Sequence, residues 1–352
     1  MNNTQQLHKG EVPNLVPHDV TVSVCMITYN HERYIREALD SVLAQQTNFS
    51  FEICLGEDES KDETREICLE YAKKYPTKIR LFLREEKDKI LMCGVKTGKY
   101  NGMQTRRAAR GKYIALCEGD DYWTDPLKLQ KQVDLLEAEP SLSACVHRAR
   151  VISESSDWRE EVFPQMPSDG KLRVLDALNH SKMFAATASL VFRQFKEPSS
   201  EWTTRCFMGD RIIFAALTAI NPIAVLPDVM SVYRRHGGGT CADFLLNKGA
   251  LRGLRSRLVY FQNIGEIVGD APEVEAKRIE MLRYFTREYV KICLRGEGLS
   301  LIDRLLGMGR SLFSLHYIGA FLTHKGRRKE LYLLARLFLG PGKRYCQKIM
   351  GK

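Results

Sequence analysis

The sequence predicts an α/β protein with a mostly parallel sheet flanked by helices and followed by a helical, basic C-terminal extension. Between Thr21 and His147, short apolar runs alternate with longer segments of helical periodicity, which is the pattern of βαβ units. The chain has 352 residues, of which 44% are hydrophobic, so it is long enough to bury a core. Its excess of positive charge lies in the part of the chain after residue 240.

The first half of the chain alternates between predicted strands and helices. A helix is expected from Ile35 to Leu43, where apolar residues recur at helical spacing, with Asn30 as its cap. Ser60 and Glu63 match a capping box for the next helix, and Asp125 suits the start of a further one. The predicted strands are 21–28, 50–55, 79–83 and 112–117.

The second half is predicted to change character near residue 240. Residues 150–240 mix strand-like runs with one helical run at 210–220, and the chain then becomes helical. After residue 240 there are 21 Lys and Arg against 10 Asp and Glu, compared with 32 against 33 before it. This basic region can meet an anionic membrane surface, a phosphorylated acceptor or nucleic acid.

The segment 298–322 is the most apolar part of the chain, but Asp303, Arg304 and Arg310 interrupt it, so it is a poor membrane span. With the basic stretch 324–344, it allows two interpretations. One is an amphipathic helix at a membrane interface, and the other is a packed helix with a solvated basic face.

The ten cysteines include no CxxC pair, which favours a reducing compartment, and we expect most of them to be buried as small hydrophobic residues. Residues 1–19 show no secretory signal. We therefore expect a cytoplasmic protein, with peripheral contact to the inner face of the membrane if the basic region docks there.

Three polar clusters follow predicted strands, at 28–30, 57–60 and 118–121. Ligands of open parallel sheets bind beyond the carboxyl ends of the strands, so these clusters predict a site at one edge. No GxGxxG turn or GxxxxGK[ST] loop accompanies them, which excludes the common nucleotide cradles.

The cluster Glu118, Asp120 and Asp121 places three carboxylates within four positions, where like charges repel. Oxygen ligands of this kind suit Mg²⁺ or Mn²⁺, with the remaining ligands supplied by a substrate. The alternative is a solvated loop that only caps the next helix, although Asp125 is the better cap.

Four motifs follow one another between residues 20 and 240: VSVCMITYNHERYIREALDSVLAQ, EDESKDET, AARGKYIALCEGDDYWTDPLKLQKQ and VMSVYRRHGGG. With these motifs in this order, residues 20–240 resemble family 2 glycosyltransferases of the GT-A fold. The resemblance implies three regions: an N-terminal extension at 1–19, the glycosyltransferase domain at 20–240, and a helical region at 241–352.

The resemblance assigns the metal site to the acidic cluster. Glu118-Gly119-Asp120 stands where the family carries its DxD motif, with Glu in place of the first Asp. The metal ligands that it implies are Asp120, Glu118, Asp121 and His236, of which Asp120 is the expected direct ligand. A purely structural histidine is the alternative for His236.

For the nucleotide sugar, the resemblance implies contacts along the same edge. Asp58 stands where a family carboxylate bonds the base, although Glu59 replaces the usual glycine beside it. The alternative role of Asp58 is a helix cap. The alternative role of Arg106 is a surface charge. The implied donor-binding residues are Thr28, Tyr29, Asn30, Asp58, Asn101, Arg106, Glu118, Gly119, Tyr233 and Arg234.

The resemblance makes Asp210 the catalytic base, although its neighbour is Gly209 instead of the usual acidic residue. The alternative for Asp210 is a helix N-cap. The implied reaction is an inverting, metal-dependent transfer of a sugar from a nucleotide-diphosphate donor, with UDP-sugars expected, to a hydroxyl of a glycan or lipid-linked acceptor in surface polysaccharide or glycolipid synthesis.

Two alternative functions remain open from the sequence. A nucleotidyltransferase has a similar sheet and similar metal carboxylates, but normally a glycine-rich basic loop after the first strand, and TYNHERY contains no glycine. A non-catalytic protein on a transferase scaffold could bind glycans or nucleic acid, yet Glu118, Asp120 and Asp210 are all present. We expect no nucleic-acid partner.

Overall fold

A mixed sheet dominates the first of two units into which the chain divides, Met1–Met281 and Leu282–Lys352. The computed structural model describes residues 14–92, 95–154, 161–179, 184–237 and 248–295. The apolar segment 298–322 and the basic stretch 324–344 lie outside the described residues, as does the predicted N-terminal extension up to residue 13.

The chain order follows the predicted alternation of strands and helices. The strands are β1 (Val22–Thr28), β2 (Phe51–Glu57), β3 (Ile79–Leu83), β4 (Ile90–Met92), β5 (Val95–Thr97), β6 (Tyr113–Leu116), β7 (Tyr122–Trp123), β8 (Ala144–Ser153), β9 (Glu161–Phe163), β10 (Lys171–Leu172), β11 (Val191–Arg193) and β12 (Ile223–Arg235). The helices are α1 (Ile35–Leu43), α2 (Thr64–Lys74), α3 (Lys99–Arg107), α4 (Lys128–Ala138), α5 (Val174–Leu178), α6 (Glu201–Arg205), α7 (Gly209–Ile220), α8 (Lys248–Asn263), α9 (Gly265–Val268) and α10 (Pro272–Arg295).

The main sheet has the order β10-β12-β8-β11-β6-β1-β2-β3, with β7 added on β12 and β9 on β8. Strands β3, β2, β1 and β6 are mutually parallel, and β12 runs parallel to β8. Strand β11 is antiparallel to both β6 and β8 and joins the two parallel groups. The α/β class and the flanking helices predicted from the sequence are confirmed.

Hydrophobic layers cover both faces of the sheet, which explains why its strands are continuous apolar runs. One layer packs Ile35, Leu39 and Val42 of α1 against β1 and β2. The other includes Ile213 and Leu217 of α7. Because both faces are covered, the edge at the carboxyl ends of β1, β2 and β6 is where polar groups collect.

The predicted helix caps at the first two loops are wrong. Helix α1 begins at Ile35, and Asn30 adopts a φ of 54° with its Oδ1 accepting from the backbone N–H of Lys61 at 2.8 Å. Helix α2 begins at Thr64 without a capping box, and Ser60 Oγ accepts from the backbone N–H of Asn30 at 3.0 Å. These side chains therefore tie the loops after β1 and β2 together instead of capping helices.

Asp125 lies just before the start of α4, near the position that was predicted for it. Its Oδ1 accepts from the backbone N–H of Leu127 at 2.8 Å, and α4 begins one residue later. The six cysteines in the described part of the chain for which burial is given, Cys25, Cys54, Cys68, Cys117, Cys145 and Cys206, are free and buried. Within the described ranges, no helix is both long and apolar enough to cross a membrane.

Candidate active site

The acidic turn that follows β6 packs closely against the end of β1. The backbone N–H of Gly119 donates to the carbonyl of Ile27 at 2.9 Å. A Cβ atom at Gly119 would lie 2.7 Å from Oγ1 of Thr28, so a larger residue would displace the β1 terminus. Glycine at this position therefore holds the turn 118–121 against the carboxyl edge of the sheet.

Three side chains converge beside this turn with the geometry of a metal site. Nε2 of His236 lies 3.1 Å from Oδ2 of Asp120, and Nε2 of His31 lies 3.7 Å from the same oxygen. One ligand atom from each of the three residues falls within 4.8 Å of the others. The two imidazole rings meet edge to face at 6.0 Å between centroids. Two imidazoles and one carboxylate form a donor set that divalent cations accept.

The charges in this cluster favour cation binding. Burial lowers the pKa of His31 below its ordinary value, although Asp120 opposes the shift. Burial alone would raise the pKa of Asp120, but the hydrogen bond from His236 and the charge of His31 outweigh it and hold this pKa below its usual value. Asp120 is therefore ionised.

The other two carboxylates of the turn lie outside this three-residue cluster. Burial, followed by the charge of Asp120, raises the pKa of Glu118 to about 8. Burial and the same charge raise the pKa of Asp121 well above its usual value, and its Oδ1 accepts from the backbone N–H of Arg234 at 2.9 Å. The three acidic side chains thus adopt different environments within four positions.

Several buried polar atoms around the turn lack partners. In the described part of the chain, Oε2 of Glu118, Oγ1 of Thr28 and Nδ1 of His31 are buried without a hydrogen bond. Buried polar atoms of native proteins are nearly always satisfied, so unpaired atoms in one place mark a site for a polar ligand or ion. The residues present therefore fit a divalent cation together with an oxygen-rich ligand.

The end of β12 crosses the turn and contributes basic and aromatic groups. Nη1 of Arg234 donates to the carbonyl of Asp120 at 3.0 Å, while Nη2 pairs with Glu37. The guanidinium also lies 4.5 Å from the centroid of the Tyr122 ring. Tyr233 points elsewhere, since its ring meets Phe163 edge to face. Arg234 therefore clamps the turn, and the chain continues to His236.

The loops after β1 and β2 form the other side of the edge. The backbone N–H of Asp58 donates to the carbonyl of Thr28 at 3.1 Å, which places their loops side by side. Burial raises the pKa of Asp58 to about 6, although the charge of Lys89 opposes the shift. Nζ of Lys89 lies 3.8 Å from the centroid of Tyr29, whose ring is partly exposed. A buried carboxylate beside an accessible ring is suited to a planar polar group.

Asn101 and Arg106 have different neighbours, although both lie on α3. Nδ2 of Asn101 donates to the carbonyl of Gly56 at 2.8 Å, next to the loop of Asp58. The guanidinium of Arg106 forms two hydrogen bonds with Glu197, of 2.6 and 3.0 Å. Asn101 thus supports the β2 end of the edge, whereas Arg106 lines a cavity between α3 and α7.

Asp210 lies in the first turn of α7 and is exposed. Its negative charge raises the pKa of Glu118, so the two carboxylates interact electrostatically. The charge of Asp210 also favours the protonated form of Lys99. Lys99 lies close to Gly209, the neighbour of Asp210, because a Cβ atom built at Gly209 would be 3.8 Å from the Nζ of Lys99. Asp210 is therefore a solvent-accessible carboxylate within electrostatic range of the acidic turn.

Sequence reasoning missed His31. It directly follows Thr28-Tyr29-Asn30, which the strand-end argument did select, and a histidine in that loop was the available signal. The backbone N–H of His31 donates to Oγ1 of Thr64 at 2.8 Å, which turns its ring towards Asp120. The structure brings Asp120 and His236 together, as expected, and adds His31 to them.

This fold and this edge site define the chain as a GT-A protein, and the comparisons agree. Residues 23–197 of the chain belong to glycosyl transferase family 2, whose model matches them. TarS of S. aureus, solved with UDP-GlcNAc, superposes with a TM-score of 0.56 over 90% of this chain and 87% of its own, at 16% sequence identity. At that identity the likeness concerns the fold.

Two curated relatives extend the comparison. An uncharacterized protein of Mycobacterium tuberculosis is 42% identical over 219 residues, which is 62% of this chain and 60% of that protein. An uncharacterized glycosyltransferase of Nostoc sp. is 25% identical over 224 residues, covering 61% of this chain and 65% of that protein. This chain thus matches about 60% of the length of its mycobacterial relatives.

Proposed function

We propose that the chain is an inverting, metal-dependent glycosyltransferase that moves a sugar from a UDP-sugar to a hydroxyl acceptor in surface glycan synthesis. The observation that carries the proposal is the cluster of His31, Asp120 and His236 at the carboxyl edge of the sheet, beside the Glu118 oxygen Oε2 that has no hydrogen bond among the described residues. Membership of glycosyl transferase family 2 supports the reaction class. The TarS complexes with UDP and UDP-GlcNAc support a uridine nucleotide.

The donor would lie along the edge from the loop of Asp58 to the acidic turn. Asp58 would bond the base, the Tyr29 ring would flank it, and Asn101 would hold the β2 terminus through Gly56. Thr28 and Gly119 shape the floor between these regions. Mn²⁺ or Mg²⁺, held by Asp120, His31 and His236, would supply positive charge to the departing diphosphate.

Asp210 would take the proton of the acceptor hydroxyl. The hydroxyl oxygen then bonds to the anomeric carbon from the side opposite the diphosphate, while the bond from that carbon to the diphosphate breaks, so the configuration inverts. Arg234 fixes the turn through the carbonyl of Asp120 and adds a positive charge near the leaving group. Tyr233 would act indirectly, through its packing on Phe163.

The proposal retains the domain limits 1–19, 20–240 and 241–352. A glycan or lipid-linked acceptor and a peripheral position on the inner face of the membrane would both suit the basic charge after residue 240. Cytoplasmic localisation and the interfacial role of the last helices are part of the same hypothesis.

The test is nucleotide-sugar hydrolysis by the purified protein with Mn²⁺, with Mg²⁺ and with EDTA. Slow release of free sugar from UDP-sugars, dependent on the metal and smaller with GDP-, CMP- and dTDP-sugars, is expected. Pyrophosphate release from a nucleoside triphosphate and a sugar phosphate would indicate a nucleotidyltransferase instead. Absence of turnover in the presence of nucleotide binding would indicate a binding protein on a transferase scaffold.

A further inference from the structure

A cavity of about 380 Å³ lies between α3 and α7, next to the proposed base. The segment that follows β11 closes one side of it, and the first turn of α7 forms part of its rim through Gly209, the neighbour of Asp210. Its apolar lining includes Met103, Ile114, Phe195, Ile212 and Ile213.

The cavity extends away from the edge where the donor would bind. Helix α3 begins near Asp58, because a Cβ atom at Gly98 would lie 3.4 Å from Oδ2 of that residue. The helix ends at Arg107, and the cavity reaches both Arg107 and Ile114, which is the second residue of β6. The carboxyl ends of the parallel strands lie at the opposite edge, so a ligand deep in the cavity is separate from the donor diphosphate.

The charged lining of the cavity is mostly basic. Arg106 and Glu197 form a bidentate pair and neutralise each other. Lys99, Arg107 and Lys196 are further basic lining residues, of which Arg107 and Lys196 are exposed. A recess with this excess of positive charge next to apolar walls attracts an anion that also has a carbon skeleton.

Lys99 connects the cavity to the proposed base. Its Nζ donates to the carbonyl of Cys206 at 2.6 Å, and burial lowers its pKa to about 8. Keeping a partly buried ammonium charged is unfavourable unless an anion compensates for the lost water. Asp210 provides part of this compensation from the site side, and an anion in the cavity would provide the rest.

We propose that this cavity binds a phosphate or phosphodiester group of the acceptor, with Lys99, Arg107 and Lys196 as its cationic contacts and Asp210 facing the adjacent hydroxyl. This inference rests on the proposed function, since it assigns the acceptor side of the same site. A soluble polyol phosphate and a lipid headgroup present the same anion, so the experiment has an arm for each source.

The first arm measures binding of glycerol 3-phosphate by calorimetry to full-length protein saturated with UDP and Mn²⁺. We expect glycerol 3-phosphate to bind in the presence of UDP and glycerol to bind much more weakly. Lys99→Gln, and separately the double variant Arg107→Gln/Lys196→Gln, should weaken this binding by about tenfold, as expected for lost charge-assisted hydrogen bonds. UDP affinity should be unchanged, which also reports that the variants are folded.

Lys73→Gln serves as a matched control, because Lys73 is exposed on α2 and lies outside the cavity lining. Competition between glycerol 3-phosphate and UDP, or equal binding by the control and the cavity variants, would overturn the proposal. So would a failure of wild type to bind glycerol 3-phosphate while it still hydrolyses UDP-sugars. Loss of hydrolysis with every nucleotide sugar would instead count against the proposed function, whatever the result with glycerol 3-phosphate.

The second arm is cosedimentation with phosphatidylcholine vesicles that contain phosphatidic acid. Binding that falls in Lys99→Gln and in the double variant, but not in Lys73→Gln, supports a lipid-borne phosphate in the cavity. Cavity-dependent binding of glycerol 3-phosphate with vesicle binding that is the same in all variants supports a soluble phosphate. If the cavity variants match the control in both arms, the cavity is not an anion site.

Discussion

Two acidic clusters lie at the same edge of the sheet, one after β2 and one after β6, and the protein neutralises them in different ways. In the first, Glu57 forms an ion pair with Arg65, and Oε2 of Glu59 accepts from the backbone N–H of Glu86. Asp58 is buried there, and Lys89 and Arg84 both lower its pKa against the effect of burial. The chain therefore supplies cations to this cluster.

The cluster after β6 has a different set of partners. Asp120 meets two imidazoles, Asp121 meets a backbone N–H, and Oε2 of Glu118 has no hydrogen bond among the described residues. The guanidinium of Arg234 is directed to Glu37 and to a backbone carbonyl. Clusters of similar composition thus differ in their surroundings, because Arg and Lys side chains offset the charge of the first, whereas two imidazoles face Asp120 in the second.

The largest effect is expected from Asp120→Asn. The amide keeps the size of the side chain and removes the charge that both histidines face, so metal-dependent turnover of UDP-sugar should fall by at least about 10³-fold. Sugar release in the presence of Mn²⁺ is the measurement. Turnover close to that of wild type would show that the cluster after β6 holds no essential cation.

Glu59→Gln is the matched control from the cluster after β2. The glutamine can still accept from the backbone N–H of Glu86, and the cations of that loop remain in place. Turnover and its dependence on Mn²⁺ should stay within about twofold of wild type, because that hydrogen bond and those cations are kept. An equal loss in both variants would remove the distinction between the clusters.

Asp210→Asn should separate catalysis from cation binding. Loss of a general base typically lowers turnover by about 10²–10⁴-fold, while UDP affinity and its metal dependence should remain intact. The comparison needs turnover and calorimetric UDP binding on the same preparation. Asp228→Asn, which removes a partly exposed partner of Lys131, is the control. A parallel fall in UDP affinity would assign Asp210 to donor or metal binding.

Lys128→Met should raise the free energy of unfolding without changing the Mn²⁺ dependence of UDP binding. Lys128 is buried over the Trp123 ring at 3.9 Å, its Nζ has no hydrogen bond within the described ranges, and burial lowers its pKa to about 7. Since the ordinary pKa is 10.5, the unfolded state binds more protons between pH 7 and 10.5. Lys128 therefore makes the free energy of unfolding increase with pH across that window. Its destabilising effect is largest below pH 7.

Methionine at this position removes that pH dependence and fills similar space. Urea unfolding should show Lys128→Met to be more stable than wild type by about 1–3 kcal/mol at pH 7, with the difference narrowing towards pH 10. The Mn²⁺ dependence of UDP binding should be unchanged, because Lys128 responds electrostatically to Cys117 and Cys145 and not to the acidic turn. Weaker Mn²⁺ dependence in the variant would make Lys128 part of the charge balance at the turn.

Much of the fold followed from local patterns. The strand IRLFL at 79–83 has the predicted limits, and the apolar positions Ile35, Leu39, Val42 and Leu43 lie on one helix as predicted, because continuous apolar runs and helical spacing act over a few residues. The caps at Asn30 and Ser60 were wrong because a partner about thirty residues away competed for the same side chains. Short polar residues bond whichever backbone group the tertiary fold brings nearest.

The site was predictable to the same extent. Strand-end position selected the acidic turn, and the resemblance to family 2 glycosyltransferases supplied His236. The role of His31 depends on contacts with Thr64 and Asp120, and Arg106 pairs with Glu197, which is 91 residues further along the chain. Such partners are set by the sheet order, so a local pattern does not contain them.

The most direct test of the central claim is calorimetric titration of UDP into the protein with Mn²⁺ and with EDTA. The cluster of His31, Asp120 and His236 predicts that Mn²⁺ strengthens UDP binding by at least about tenfold, because a cation held by these residues would supply positive charge to the diphosphate. The same enhancement should disappear in Asp120→Asn. Equal UDP affinity with Mn²⁺ and with EDTA in wild type would contradict the proposed metal site.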